Sequence, residues 1–343
     1  MKPIKVGLLG FGLAGQVFHA PLIRTTTGME LTAIGTRSFE GKPVPKDVRT
    51  GSIDDVIDDP EIDLIVVATV NTSHFSLTCR ALSAGKHVVV DKPFAVSLDE
   101  ADQMISVARE KNRLLSVYQN RRWDAGFKTA KDVIASGELG NISYAELHFD
   151  RFSPEVNSCW REQPAPGAGN LFDLGSHLVD QAFHLFGRPR SVFADVTAQR
   201  EGALVDDYFH LILNYGKLRV VLHSTSLVFN HGPRIALYGD QASFQYFGLD
   251  KQEEDLVAGK TPESHDWGRT DGSRALFLSS EGKTHSLTPH NGSYEDFYLG
   301  MANAILGNGD VPVPAQDARH SLALLLAAAE SAEKGVRIEL TGS

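Results

Sequence analysis

Cysteine is scarce in this chain of 343 residues: only Cys79 and Cys159 occur, far apart. Such usage excludes a disulfide-stapled secreted fold and suits a reducing compartment, so a cytoplasmic setting is expected. Basic charge is scarce as well. With 33 Lys and Arg against 43 Asp and Glu the net charge is −10, and the basic residues are scattered apart from Arg121 and Arg122. A phosphate backbone would find no electrostatic counterpart, so nucleic acid is set aside as a partner. No apolar run approaches the ~20 residues a bilayer requires, so no membrane span is expected. The opening "IKVGLLGFGLAG" imitates a signal peptide, but its internal glycines and the want of a small-residue cleavage site argue for an untargeted chain. Low-complexity tracts and internal repeats are also lacking.

What is present fits a globular protein of two domains, since the length exceeds what one core usually supports. From residue 4 to about 118, the runs "IKVGLL", "LTAIG", "DLIVVAT", "HVVV" and "LLSVY" alternate with helical patterns. Continuous Val/Ile/Leu runs suit strands buried on both faces of a parallel sheet, and the alternation is that of βαβ units. "SLDE" offers Ser97 and Glu100 as a capping box for one helix. Beyond about residue 122 a helix from Ala125 to Ser136 ends at Gly137, and "ISYAELHFDRF", "DYFHLILNY", "KLRVVLHSTSLVF" and "RIALYGD" show period-two patterning. A largely antiparallel sheet is expected there, with a hairpin at "NYGKL". The polar stretch from Gly248 to about Ser273 reads as a surface excursion or a flap, and Gln316 to Lys334 as a final helix. The expected fold is therefore α/β: a Rossmann domain over residues 1–121 and an α+β domain with a large, mainly antiparallel open sheet over 122–343.

"GFGLAG" supplies Gly10, Gly12 and Gly15 in the G-x-G-x-x-G arrangement, with Leu13 inside it, directly after a strand and opening a helix. The first glycine permits the tight turn, the second lets a pyrophosphate approach the backbone, and the third allows close packing of helix on strand. The second strand discriminates between nucleotides. An acid about 20 residues beyond the glycines would bond the ribose 2′-hydroxyl of NAD. Here "LTAIGTRS" ends in Thr36, Arg37 and Ser38 instead, and a guanidinium beside two hydroxyls suits a 2′-phosphate. NADP is expected over NAD.

"FDLGSHLVDQAFH" spaces Asp173, His177, Asp180 and His184 by four, three and four residues, as on one helical face. The stripe spans ~16 Å of helix, too far for one ion to bridge, so no metal is expected on it.

Further stretches resemble the glucose-fructose oxidoreductase and inositol dehydrogenase family. These are "VNTSHFSLTCRALSAGKHVVVDKP", "SVYQNRRWD" and "GAGNLFDLGSHLVDQ", the last running into an Asp-x-x-x-His helix. "VFHAPLI", "YQNRRWD", "NSCWRE", "FDLGSHLVDQAFHLFG" and "NGSYEDFY" are most similar to the branch of NADP-dependent scyllo-inositol dehydrogenases. Departures are Asp91 where that family has Glu before Lys-Pro, Ala168 in the glycine run, and Val70 after Thr69.

The resemblance implies a catalytic set of Lys92, Asp173 and His177. Lys92 would hold the reacting oxygen, His177 act as acid or base, and Asp173 bind substrate hydroxyls, with exchange of the Lys92 and His177 roles left open. It implies Thr69, Asn71, His74 and Asp91 near the cofactor, with Trp160 and Arg161 reaching it from the second domain. Tyr118, Asn120, Arg122 and Tyr294 are candidates for hydrogen bonds to a polyol, Arg122 being equally suited to a structural salt bridge. Asp180 and His184 are expected to make polar contacts at a domain or subunit boundary. The expected activity is hydride transfer between NADP and a secondary alcohol of a cyclic polyol or sugar, with scyllo-inositol and its ketone foremost. Another sugar or diol, and a non-catalytic NADP-binding sensor, are the alternatives. A homodimer or homotetramer joined through the C-terminal sheet is expected.

Overall fold

The computed structural model describes residues 2–156 and 162–340. Two compact units form, and neither is one stretch of chain. The first gathers residues 1–123, 251–269 and 293–319; the second gathers 124–250, 270–292 and 320–343. A single boundary after residue 121 therefore describes the chain's order but not its packing. Late segments return to the first unit because their side chains find partners there. The Gln252 side-chain oxygen accepts the Tyr294 N–H at 2.6 Å, Glu253 pairs with Arg121 at 2.7 Å, and the Trp267 indole donates to Glu295 at 2.7 Å. Most of the polar stretch expected as an excursion or flap is thereby fastened down.

The first unit's sheet comprises β1 (Ile4–Leu9), β2 (Met29–Gly35), β3 (Arg49–Gly51), β4 (Leu64–Val67), β5 (His87–Val90) and β6 (Leu115–Val117). Its order is β3-β2-β1-β4-β5-β6 with every pair parallel. Val6, Leu8, Leu64, Val66, Val88 and Val90 are wholly buried, as two-sided burial of these runs requires. The order reverses between β1 and β4, and ligands of such sheets sit beyond the strand C-termini at that reversal. Strand β3 was not expected. It is short and largely exposed and carries no apolar run.

The second unit's sheet comprises β7 (Ile142–His148), β8 (Ser191–Thr197), β9 (Tyr208–Tyr215), β10 (Leu218–Thr225), β11 (Ile235–Gly239), β12 (Ala242–Phe247), β13 (Arg274–Ser279), β14 (Thr284–Leu287) and β15 (Ile338–Glu339). The order is β14-β13-β12-β11-β7-β10-β9-β8-β15, antiparallel except for the β7/β10 pair. Gly216, at φ +89°, turns the expected β9–β10 hairpin. Ala145, Leu147, Leu211, Leu213, Val220 and Leu222 form the inner face, packed with Leu178 and Ala182 of the helix Gly175–Phe186. Alternation then sends Glu146, His148, His210, Ile212 and His223 to the opposite face.

Candidate active site

The three glycines after β1 play three different parts. Gly10 adopts φ +90°, and a Cβ there would stand 2.3 Å from the Ala68 carbonyl oxygen. A Cβ on Gly15 would lie 2.3 Å from the Gly10 carbonyl oxygen. Both positions close the strand, loop and helix onto one another. Gly12 is the opposite case, with nothing within 4 Å of its virtual Cβ, which is the open approach a pyrophosphate needs. Leu13 beside it is exposed. The helix that follows starts as a wide π-type turn, Ala14–His19, before the α-helix Ala20–Thr25.

At the end of β2 the Thr36 N–H reaches the Gly51 carbonyl at 3.4 Å, while Arg37 and Ser38 are exposed. Lys42 donates to the Ser38 carbonyl at 2.7 Å and adds a second cation to this turn, one the sequence reading missed. Among the described residues no carboxylate pairs with Arg37.

Beyond β4 the Thr69 and Ser73 hydroxyls are 2.7 Å apart, and buried Asn71 opens the short turn Asn71–Ser73. His74 points into the fold. Its ring is wholly buried, with Nδ1 2.9 Å from the Pro93 carbonyl and Nε2 3.2 Å from the Thr69 carbonyl. Burial pushes this imidazole below the usual histidine range, so the neutral ring has one N–H to donate, to one of these two carbonyls.

Asp91 is likewise turned inward. One carboxylate oxygen accepts the Lys92 N–H at 2.8 Å, and the other lies 3.6 Å from Nε2 of His19. Burial alone would raise this carboxyl; His19 and then Lys92 reverse that and hold it below the usual range. His19 is itself wholly buried, 2.6 Å from the Tyr298 hydroxyl through Nδ1 and 4.5 Å from the Tyr118 ring. Sequence reasoning quoted "VFHAPLI" without singling out His19. A histidine directly before a helix-starting Ala-Pro, on the first helix after the glycine loop, was the available signal.

The polyol candidates of the first unit divide. Arg122 pairs with Asp317 at 3.4 Å, the structural alternative foreseen for it. Tyr294 is almost wholly buried and its hydroxyl receives Arg121 at 3.4 Å, so it serves its own unit's interior. Tyr118 is buried edge-on against Phe297, and Asn120 is buried in the turn Asn120–Trp123.

A Rossmann sheet with a glycine cradle, followed by a second α/β unit, is the architecture that known families can now be compared with. A family model described as "Oxidoreductase family, NAD-binding Rossmann fold" matches residues 4–119, and "Oxidoreductase family, C-terminal alpha/beta domain" matches 131–340. The chain belongs to the GFO/IDH/MocA oxidoreductase family. It is 39% identical to scyllo-inositol 2-dehydrogenase (NADP(+)) IolW of Bacillus subtilis (strain 168) over 96% of each chain. It is 43% identical, again over 96% of each, to the uncharacterized oxidoreductase YdgJ of Escherichia coli (strain K12). A solved structure of the oxidoreductase yvaA from Bacillus subtilis superposes with a TM-score of 0.95, covering 99% of both chains at 39% identity.

In this GFO/IDH/MocA oxidoreductase Lys92 belongs to the first unit, and Asp173 and His177 to the second. The expected continuous stripe is broken at Leu174. Asp173 ends a single helical turn, Asn170–Asp173, and His177 lies buried in the first turn of Gly175–Phe186. Gly169 explains the preceding glycine run. At φ +86° a Cβ would meet an Asp206 carboxylate oxygen at 2.0 Å, and Asp206 accepts the Leu171 N–H at 2.7 Å. Asp180 is buried, and His184 faces Lys131 at 3.3 Å and the Phe127 ring at 5.8 Å, all within the second unit. Trp160 and Arg161 lie outside the described residues. Among the described residues no helix is long and apolar enough to cross a membrane.

Proposed function

We propose that this oxidoreductase is an NADP-dependent dehydrogenase of a cyclic polyol, interconverting scyllo-inositol and its ketone. The observation that carries the reading is Arg37, exposed at the end of β2 with Lys42 on the same turn and, among the described residues, no carboxylate paired with it. A guanidinium there suits a 2′-phosphate and gives an NAD ribose no acceptor. The similarity to IolW, named scyllo-inositol 2-dehydrogenase (NADP(+)), supports the substrate. In this reading Gly10, Gly12, Leu13 and Gly15 hold the pyrophosphate, and Thr69 and Asn71 the nicotinamide side.

When bound, the nicotinamide supplies the hydride acceptor or donor. The chain's own residues manage the proton. His177 takes the hydroxyl proton in oxidation and returns it in reduction, being of the side-chain type that titrates near neutrality. Lys92 stabilises charge on the reacting oxygen, and Asp173 accepts hydrogen bonds from neighbouring hydroxyls, with Asn120 as a further contact. His74 and Asp91 position Lys92. Homo-oligomer formation through the nine-stranded sheet and a cytoplasmic setting belong to the same proposal. Exposed Tyr144, Phe193 and Ile212 on that sheet support the first, and low cysteine content the second.

A panel of inositol isomers, hexoses and simple diols with NADP tests the substrate. The highest kcat/KM is expected for scyllo-inositol. A hexose or diol at least tenfold better would replace it, and nucleotide binding without turnover on any of them would favour a sensor.

A further inference from the structure

Away from the glycine cradle, the outer face of the second unit's sheet carries a row of chemistry that the oxidoreductase reaction does not use. His148 on β7 stands in register with His223 on β10, His223 with His210 on β9, and His210 with Asp195 on β8. The His148 and His223 ring centres are 5.0 Å apart, and those of His223 and His210 5.6 Å. Asp150, two residues past His148, reaches both of the first two rings. Its oxygens lie 3.1 Å from His148 Nδ1 and 2.8 Å from His223 Nδ1. One nitrogen from each histidine and one oxygen from Asp150 thus fall within 4.8 Å of one another.

We propose that His148, Asp150 and His223 form a binding site for a divalent transition-metal ion of the zinc type. Two imidazoles and a carboxylate are a donor set that zinc accepts, with a fourth position left for water. Ligands bound to zinc at about 2.0–2.2 Å in tetrahedral geometry stand roughly 3.3–3.5 Å from one another, so donor atoms now within 4.8 Å of one another would each move by about 1 Å at most to seat the ion. His148 and His223 are partly exposed, with Asp150 buried between them. Two ligands sit on regular strands, so the backbone already fixes their spacing. The Nε2 atom of His148 is buried without a hydrogen-bond partner, with Glu146 at 3.9 Å as the nearest acid on the same strand. Because β7 and β10 are the one parallel pair among the described strands of this sheet, the ion would act as a brace across them.

The test is equilibrium dialysis of chelator-stripped full-length protein against zinc chloride, with metal counted by mass spectrometry. The unaltered chain is expected to retain one equivalent more zinc than His223→Ala or Asp150→Asn, while His231→Ala, at an exposed histidine elsewhere, matches the parent. Equal zinc in parent and His223→Ala overturns the site and leaves a hydrogen-bonded His-Asp-His cluster. Cobalt substitution of the unaltered chain needs no variant to fold. Visible d–d bands of four- or five-coordinate cobalt are expected, and a spectrum of free hexaaquo cobalt alone contradicts the proposal.

Discussion

Each unit holds an aspartate against histidine, one at Asp91 and two at Asp150, and the two arrangements differ in how far the histidines are buried. At Asp91 the histidine is wholly buried: His19 faces one carboxylate oxygen, the Lys92 N–H binds the other, and the far side of His19 is taken by Tyr298. Asp150 sits on the face of a sheet, bonded by two histidines that remain partly open. A closed cluster fixes geometry, and here it fixes the backbone of the lysine proposed for catalysis. An open one leaves room for an ion. A third aspartate shows what burial does without histidines. Asp206 faces backbone N–H groups and the neighbouring Asp207, and burial pushes it up to about 6.

The comparison breaks most sharply at Lys92. Lys92→Ala is expected to lower kcat by roughly 10²–10⁴-fold, the range for loss of a proton-transfer or oxyanion partner. Steady-state kinetics check it, and a kcat near the parent value removes Lys92 from the chemistry. Next, Asp91→Ala strips the acceptor from the Lys92 N–H and from His19. A fall of about 10–100-fold in kcat/KM is expected, with about 1–3 kcal/mol of stability lost in urea unfolding. His19→Phe sharpens the contrast further. It keeps ring volume but removes the Asp91 and Tyr298 contacts, so kcat should drop about tenfold with the KM for NADP within about threefold. The open cluster predicts the reverse pattern: His223→Ala changes metal content and leaves kcat within about twofold.

The smallest effect concerns pH. Asp91, held low, contributes stability that is present above its unfolded value and lost as pH falls through the folded one. Asp206 has the opposite sign. Its folded value of about 6 exceeds the ordinary 3.8, so its favourable contribution is present below 3.8 and lost as pH rises through about 6. Asp206→Asn should therefore gain on the parent as pH rises from 4 to 7, by about 2 kcal/mol, read from urea midpoints at both values. A constant gap would refute the assignment.

Much of the fold was legible because local signals agreed with tertiary ones. The apolar runs marked five of the six Rossmann strands, and Gly137, at φ +74°, ends its helix where the sequence placed the stop. Strand β3 was hidden because three residues carry no period. The division into units was hidden too, since the return of Gln252, Glu253 and Glu295 to the first unit depends on partners distant in sequence. Within the site, Gly10, Gly12 and Gly15 were readable because each glycine answers a backbone demand. His19 and the inward turn of His74 were not, because burial and partner choice are properties of the assembled fold. The same holds for the His148–Asp150–His223 row, which exists only once β7 and β10 are paired.

The central claim is that the turn after β2 selects NADP for polyol oxidoreduction. Its most direct test is kcat/KM for NADP against NAD with scyllo-inositol, in the parent and in Arg37→Ala. The account predicts at least a tenfold preference for NADP that shrinks when Arg37 is removed. Equal use of both cofactors, or a preference for NAD in the parent, would contradict it.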